Sequence, residues 1–166
     1  TRSQPPRGAK KGMYEDGKRL RDDARLLEKT VVDWVLDRAE VVCATNSLNV
    51  NQLGDRRFDM AVIDEACQCT EPSCWVPIQF ADKLVLAGDH RQLPPTVISQ
   101  NAANEGFDVS LLERLVDKFG DIITSTLREQ YRMHQQIMEF SSQQFYENRL
   151  EAHETVAEHL LSDLSQ

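Results

Sequence analysis

The chain has 166 residues, 40% of them hydrophobic and 28% charged, and a formal net charge of −8 at pH 7. That balance fits a globular domain with its own core and excludes a disordered or collagen-like chain. No apolar run approaches the roughly 18 residues that a membrane-spanning helix needs. The polar, basic start at Thr1 is no signal peptide and reads as a cut within a longer chain.

The charge is uneven. Residues 1–29 hold nine Lys and Arg against five Asp and Glu, whereas 30–166 hold ten against twenty-two. The acidic body argues against a protein that grips nucleic acid by bulk charge. The basic arm allows a local phosphate contact, or it is simply a solvated helix face.

Residues 1–12, TRSQPPRGAKKG, carry Pro, Gly and bases and predict a disordered linker. From Tyr14 to Leu36 the period becomes helical, with Leu20, Ala24, Leu27, Val31, Trp34 and Val35 forming one apolar stripe. VVCAT (41–45) predicts a strand, followed by a polar loop, and FDMAVID (58–64) a second strand. Glu71-Pro72 opens a short helix, and KLVLAGD (83–89) is a third strand. DVSLLERLVDKF (108–119) predicts an amphipathic helix with Asp108 as its cap, a buried face of Leu111, Leu112, Leu115, Val116 and Phe119, and Gly120 as its stop. DIITSTL (121–127) is a fourth strand. Residues 133–146 form a helix that buries Met133, Ile137, Phe140 and Phe145. Strands alternating with helices, each strand a continuous apolar run, predict an α/β fold whose parallel sheet is covered on both faces.

Ligands of open parallel sheets bind at the carboxyl ends of the strands, and here every strand end is chemically equipped. After MAVI come Asp64 and Glu65, two adjacent carboxylates that repel each other unless paired or bridged by a cation. Mg²⁺ takes one or two carboxylates plus phosphate oxygens and keeps several waters. In nucleotide hydrolases the strand-end Asp holds that ion, and the next Glu is placed to deprotonate or orient a water. After LVLA comes GDHRQLPP (88–95), in which Gly88 permits a tight turn and Pro94-Pro95 stiffen the exit. Between them Gln92 is a neutral donor and acceptor able to bridge a phosphate oxygen and a water. After TSTL comes REQYRMH, with Arg132 positioned to neutralise a transferring phosphoryl group and Tyr131 offering a flat face to a base. The bland alternatives are a core tyrosine at 131 and a surface arginine paired with Glu129 or Asp89.

Four cysteines, Cys43, Cys67, Cys69 and Cys74, include no CxxC pair, and His90 lies sixteen residues past Cys74. That is poor zinc spacing. It reads as free thiols in a reducing compartment, two or three of them packed as small apolar groups.

VIDEACQ, LAGDHRQLPP and EQYRMH together resemble motifs II, III and IV of superfamily 1B helicases, in the branch of the nonsense-mediated-decay and immunoglobulin mu-binding helicases. The likeness runs from about residue 14 to 164. It implies a RecA-like fold, ATP and Mg²⁺ as cofactors, single-stranded DNA or RNA as partner, no membrane, and a nuclear or cytoplasmic setting. It implies that Asp64 positions Mg²⁺ through water and that Glu65 is the base for ATP hydrolysis. By the same likeness Gln92 senses the γ-phosphate and Arg132 contacts it, Tyr131 stacks on adenine, and Thr45 meets the nucleic-acid backbone. Gln68 completes a DEAxQ signature, and Asp89 joins the nucleotide-binding set. The resemblance divides the chain into a linker (1–12), a helical insertion arm (13–38), the end of a first RecA-like domain (39–127), and a junction with the start of a second (128–166).

No GxxxxGK[ST] occurs in the chain. The expectation is an internal slice of a motor, dependent on the rest of the helicase chain for its phosphate cradle and inactive alone. Two other readings stay open: a short adaptor that only binds nucleic acid, and a metal nuclease using Asp64, Glu65 and Asp89.

Overall fold

The structure, a computed structural model, describes residues 7–163. The first helix, α1, runs from Arg7 to Leu36. It therefore begins inside the stretch expected as linker, of which residues 1–6 lie outside the described residues. Ala9, Lys10, Lys11 and Met13 are all good helix formers and extend the helix back from Tyr14. The apolar stripe is present, but Leu20, Leu27, Val31, Trp34 and Val35 are all exposed. The helix is pinned at its C-terminal end, where Arg56 donates from Nε to Asp37 Oδ1 at 2.9 Å and from Nη2 to the Asp33 carbonyl at 3.2 Å.

The central unit is β1 (Phe58–Ile63), α2 (Glu71–Ile78) and β2 (Ala81–Leu86). The strands pair in parallel, with Phe58 opposite Ala81 and Ile63 opposite Leu86. A parallel pair needs a crossover, and α2 supplies it. Side chains alternate across a strand. Ala61 and Ile63 therefore share a face with Leu84 and Leu86, and this face meets Ala66, Cys74 and Leu111 in the buried core. Met60, Val62 and Val85 point to the other face and stay exposed, so among the described residues the sheet is covered on one side and not on two.

Between β2 and the next long helix lies a short one, α3 (Gln100–Asn104). The long helix, α4 (Leu111–Phe119), is capped by Ser110 and not by Asp108: Ser110 Oγ accepts the Glu113 N–H at 3.1 Å. Ser110 is itself held by a bridge to Thr70, and Ser-x-x-Glu is the stronger cap pattern. Leu111 is buried and Leu112 and Leu115 pack on the core, whereas Phe119 stays largely exposed. Arg114 ties α4 to the start of α2 through Glu71, Nε to Oε2 at 2.8 Å.

Two expected strands are absent. Residues 41–45 are irregular, and 121–127 form a 3-10 turn (Gly120–Ile122) followed by irregular chain. A strand exists only through a ladder partner. Among the described residues β1 pairs with β2 alone, and Val41 and Leu127 lie in the open. The second parallel pair is minimal: β3 (Glu129–Gln130) beside β4 (Glu151–Ala152). Helix α5 (Gln135–Phe145) buries Met138 and Ser142, one helical turn apart, while Ile137 and Phe140 are 64% and 67% exposed. The expected face is thus rotated. Ser142 is buried because its hydroxyl accepts the Leu150 N–H at 3.1 Å, pulling the returning chain under that side of the helix. A last short helix, α6 (Glu154–Ala157), follows β4.

Candidate functional site

The backbone after β1 turns sharply at Glu65, with φ 50° and ψ 40°. A left-handed conformation costs a non-glycine residue about 1–2 kcal/mol, and such outliers cluster where function demands them. Asp64 Oδ1 accepts the Glu65 N–H at 3.0 Å and holds the turn. Gln68 Nε2 donates to Glu65 Oε2 at 3.2 Å, fixing the carboxylate from one side. The remaining edges of Asp64 and Glu65 face outward, and both residues are exposed.

The loop after β2 packs directly on this turn. Ala66 N–H donates to the Ala87 carbonyl at 2.8 Å, and Ala87 N–H to Ile63 at 2.9 Å. A Cβ on Gly88 would lie 3.0 Å from Ala66 N, 3.1 Å from Cys67 N and 3.2 Å from Leu112 Cδ2. Gly88 is required by this close approach. Its φ is not positive, so the tight-turn reason expected from sequence does not apply. Next along, Asp89 N–H points at Cys67 Sγ, 3.4 Å away.

Asp89 is the hub of the second loop. Its Oδ1 accepts the Arg91 N–H at 3.0 Å, and its Oδ2 accepts Gln92 Nε2 at 2.9 Å and the Tyr146 hydroxyl at 2.6 Å. Burial opposes ionisation of Asp89, but these three donors outweigh it and hold the carboxyl below its usual range. Burial, and then the bond to Asp89, push the Tyr146 phenol up to about 12.

Asp64, Glu65, Gln68, Asp89 and Gln92 therefore belong to one continuous set of contacts. Thr45 lies on a neighbouring loop, its Oγ1 3.1 Å from Ser47 Oγ, and Asn46 ties that loop to Cys69 Sγ at 3.0 Å. Among the described residues no hydrogen bond links Tyr131 or Arg132 to the set. The Tyr131 hydroxyl donates to Glu129 Oε2 at 2.6 Å, which raises its pKa, and its ring lies 4.4 Å from that of His153, tilted by 30°. Arg132 is anchored by its backbone, whose N–H donates to Gln130 Oε1 at 2.9 Å. Its guanidinium makes no ion pair with Glu129 or Asp89 among the described residues. Tyr131 is 60% exposed and is no core tyrosine, whereas Arg132 is a surface arginine without the expected ion pair.

Three contributors escaped sequence reasoning. Cys67 is buried at the seam between the two loops, Gln130 braces the Arg132 turn, and Tyr146 reaches Asp89 from 57 positions away. Tyr146 carries no local signal, because its partner lies in another part of the chain. Cys67 and Cys74 are packed as small apolar groups, with burial pushing the Cys74 thiol up to about 11.

A three-carboxylate metal centre does not form. Asp89 is turned to Tyr146, and among the described residues no group of three His, Cys, Asp or Glu side chains converges. The donor set suits an ion that takes one carboxylate here and completes its shell with water and phosphate. Mg²⁺ does so, and Asp64 would hold it.

A parallel β-α-β unit with an acidic turn and a Gln-bearing loop stacked at its strand ends defines an α/β module of the class that binds ligands at the carboxyl ends of its strands. Residues 2–100 match a family described as an AAA domain, and the chain belongs to that family; residues 107–166 match a second family of the same description. It is 44% identical over 160 residues to DNA-binding protein SMUBP-2 of Mesocricetus auratus, covering 93% of this chain and 16% of that protein. It is 43% identical over 148 residues to an uncharacterized ATP-dependent helicase of Methanocaldococcus jannaschii, covering 89% of this chain and 22% of the relative. A regulator of nonsense transcripts 1 homolog of Neurospora crassa is 39% identical over 153 residues, 90% of this chain and 13% of its own length. The helicase resemblance read from the three motifs is thereby borne out. The chain spans 13% to 22% of the length of these relatives. No described helix is long and apolar enough to cross a membrane.

Proposed function

We propose that this chain is the part of an ATP-dependent, superfamily 1 helicase that carries the hydrolytic turn and the γ-phosphate-sensing loop, moving 5′→3′ on single-stranded DNA or RNA in a nuclear or cytoplasmic setting. The observation that carries this reading is the backbone-on-backbone stacking of the Asp64–Gln68 turn and the Gly88–Gln92 loop at the ends of two paired parallel strands. A motor needs these two loops to move as one, because phosphate chemistry at the first must be felt at the second.

In this reading Asp64 would hold Mg²⁺, which would supply neutralisation of the phosphate charge. Glu65, fixed by Gln68, orients and deprotonates the attacking water. Gln92 hydrogen-bonds the γ-phosphate, with Asp89 setting the direction of its amide. The Arg132 guanidinium, in no ion pair among the described residues, is available to a phosphoryl oxygen, Tyr131 offers its exposed face to adenine, and Thr45 reaches the nucleic-acid backbone. Residues 13–38 form the helical arm, 39–127 the end of the first motor domain, and 128–166 the junction and the start of the second.

A second reading, a binding-only adaptor, draws on the absence of GxxxxGK[ST] from the chain and on the basic character of residues 1–29. Sequencing the parent transcript upstream of the Thr1 codon separates the two. A strand followed by GxxxxGK[ST] supports the motor, and a nearby start codon without one supports the adaptor.

A further inference from the structure

The longest-range side-chain hydrogen bond among the described residues joins the end of α5 to the loop after β2: Tyr146 hydroxyl to Asp89 Oδ2, 2.6 Å, across 57 positions. That same oxygen accepts the Gln92 amide at 2.9 Å. Gln92 is thus oriented by a carboxylate whose own position depends on a phenol from the far segment. We propose that Tyr146 is a positioning residue for the hydrolytic reaction, holding Asp89 and through it Gln92, so that the docking of α5 sets the state of the phosphate-sensing loop. The inference rests on the helicase reading.

A second feature points the same way. Among the described residues three non-glycines have positive φ: Glu65 at 50°, Glu147 at 55° and Asn148 at 58°. One is in the hydrolytic turn, and the other two directly follow Tyr146. A chain that merely left helix α5 would use glycine there at lower cost. Instead the strained pair turns back on the helix, with Asn148 N–H donating to the Ser142 carbonyl at 2.9 Å and Tyr146 N–H to the same carbonyl at 3.1 Å. Arg149 reaches Glu147 across the turn, Nε to Oε2 at 3.1 Å. This closure fixes the backbone of Tyr146 at the point where its hydroxyl must meet Asp89. Around the pair the charged neighbours are Arg91, which favours ionisation of the phenol, and His90, which favours ionisation of Asp89.

Loss of the Tyr146 hydroxyl removes one of the two donors on Asp89 Oδ2 and lets the carboxylate and Gln92 reorient. A hydrogen bond to a charged group is strong enough to change a rate about ten-fold or more when it is lost.

The test is steady-state ATP hydrolysis by the full-length protein, comparing wild type with Tyr146→Phe, which removes a single oxygen. The expected result is a kcat lower by about ten-fold with the KM for ATP unchanged, and little further loss when Asp89→Asn is added. A Tyr146→Phe variant that melts earlier but turns over at the wild-type rate overturns the positioning role and leaves the helicase reading intact. A wild-type protein that hydrolyses no ATP overturns the helicase reading, and the positioning role with it. Should Tyr146→Phe fail to fold, a fluorinated tyrosine at 146 keeps the shape while changing hydroxyl acidity. A kcat indifferent to that change refutes the proposal.

Discussion

Gly88 offers the most direct check on the seam between the two loops. In Gly88→Ala the new methyl would meet Ala66 N at 3.0 Å, Cys67 N at 3.1 Å and Leu112 Cδ2 at 3.2 Å. Two of these three are backbone atoms, fixed by the Ala66-to-Ala87 hydrogen bond at 2.8 Å, and only the leucine can rotate away. The turn and the loop must then separate by a few tenths of an ångström. Overpacking of this kind costs about 1–3 kcal/mol. In a chain of this size each kcal/mol lowers the melting temperature by about 2–4 °C. Gly17→Ala is the matched control, since its methyl meets nothing nearer than Arg21 Nη1 at 3.9 Å in the middle of a helix. That change should stabilise the helix by about 0.5–1 kcal/mol. Thermal and urea unfolding of the two variants beside wild type should shift in opposite directions. Equal stability of Gly88→Ala and wild type would refute the close packing of the two loops.

Further outcomes follow from the same geometry. The 166-residue chain alone should hydrolyse ATP at no detectable rate, because each missing preorganised donor typically costs about 10²–10³ in rate and the GxxxxGK[ST] cradle is not in it; Mg²⁺-dependent phosphate release by the purified chain, abolished by Glu65→Gln, would contradict this. In the full-length protein Arg132→Ala should lower kcat more than it raises KM, since a phosphoryl-neutralising arginine acts mainly in the transition state; an effect confined to KM would reduce it to a ground-state contact. The Tyr146 phenol, pushed up to about 12, lies above its unfolded value of about 10. Its stabilising contribution is therefore whole below pH 10 and lost as the pH climbs through 12. Unfolding free energy measured from pH 9 to 12 should fall more steeply in wild type than in Tyr146→Phe.

The two turns of the candidate site were legible in the sequence because each is local: an apolar run that ends in Asp64-Glu65, and another that ends in Gly88-Asp89. The reasons behind them were less visible. Gly88 reads as a turn former, yet its role is to let another backbone approach, which depends on Ala66 and Cys67 more than twenty positions earlier. The segments 41–45 and 121–127 have strand composition but no ladder, because β structure is settled by partners elsewhere in the chain and composition only permits it. Helix α5 carries two candidate stripes, and the choice of Met138 and Ser142 over Ile137 and Phe140 was made by where residues 149–152 return. Asp108 and Ser110 are both acceptable caps, and the bridge from Ser110 to Thr70 decides between them. Tyr146 had no signal at all in its neighbourhood, since what makes it notable is a carboxylate 57 positions away.

Glu65, held in a left-handed turn and fixed by Gln68, is the proposed base of an ATP-hydrolysing motor. The most direct test of that role is single-turnover ATP hydrolysis by the full-length protein, wild type against Glu65→Gln, with ATP and single-strand binding measured in parallel. The variant should bind both ligands as wild type does while its hydrolysis rate collapses, because the substitution removes the proposed base and leaves the Asp64 carboxylate intact. A Glu65→Gln protein that hydrolyses ATP at the wild-type rate would contradict that role.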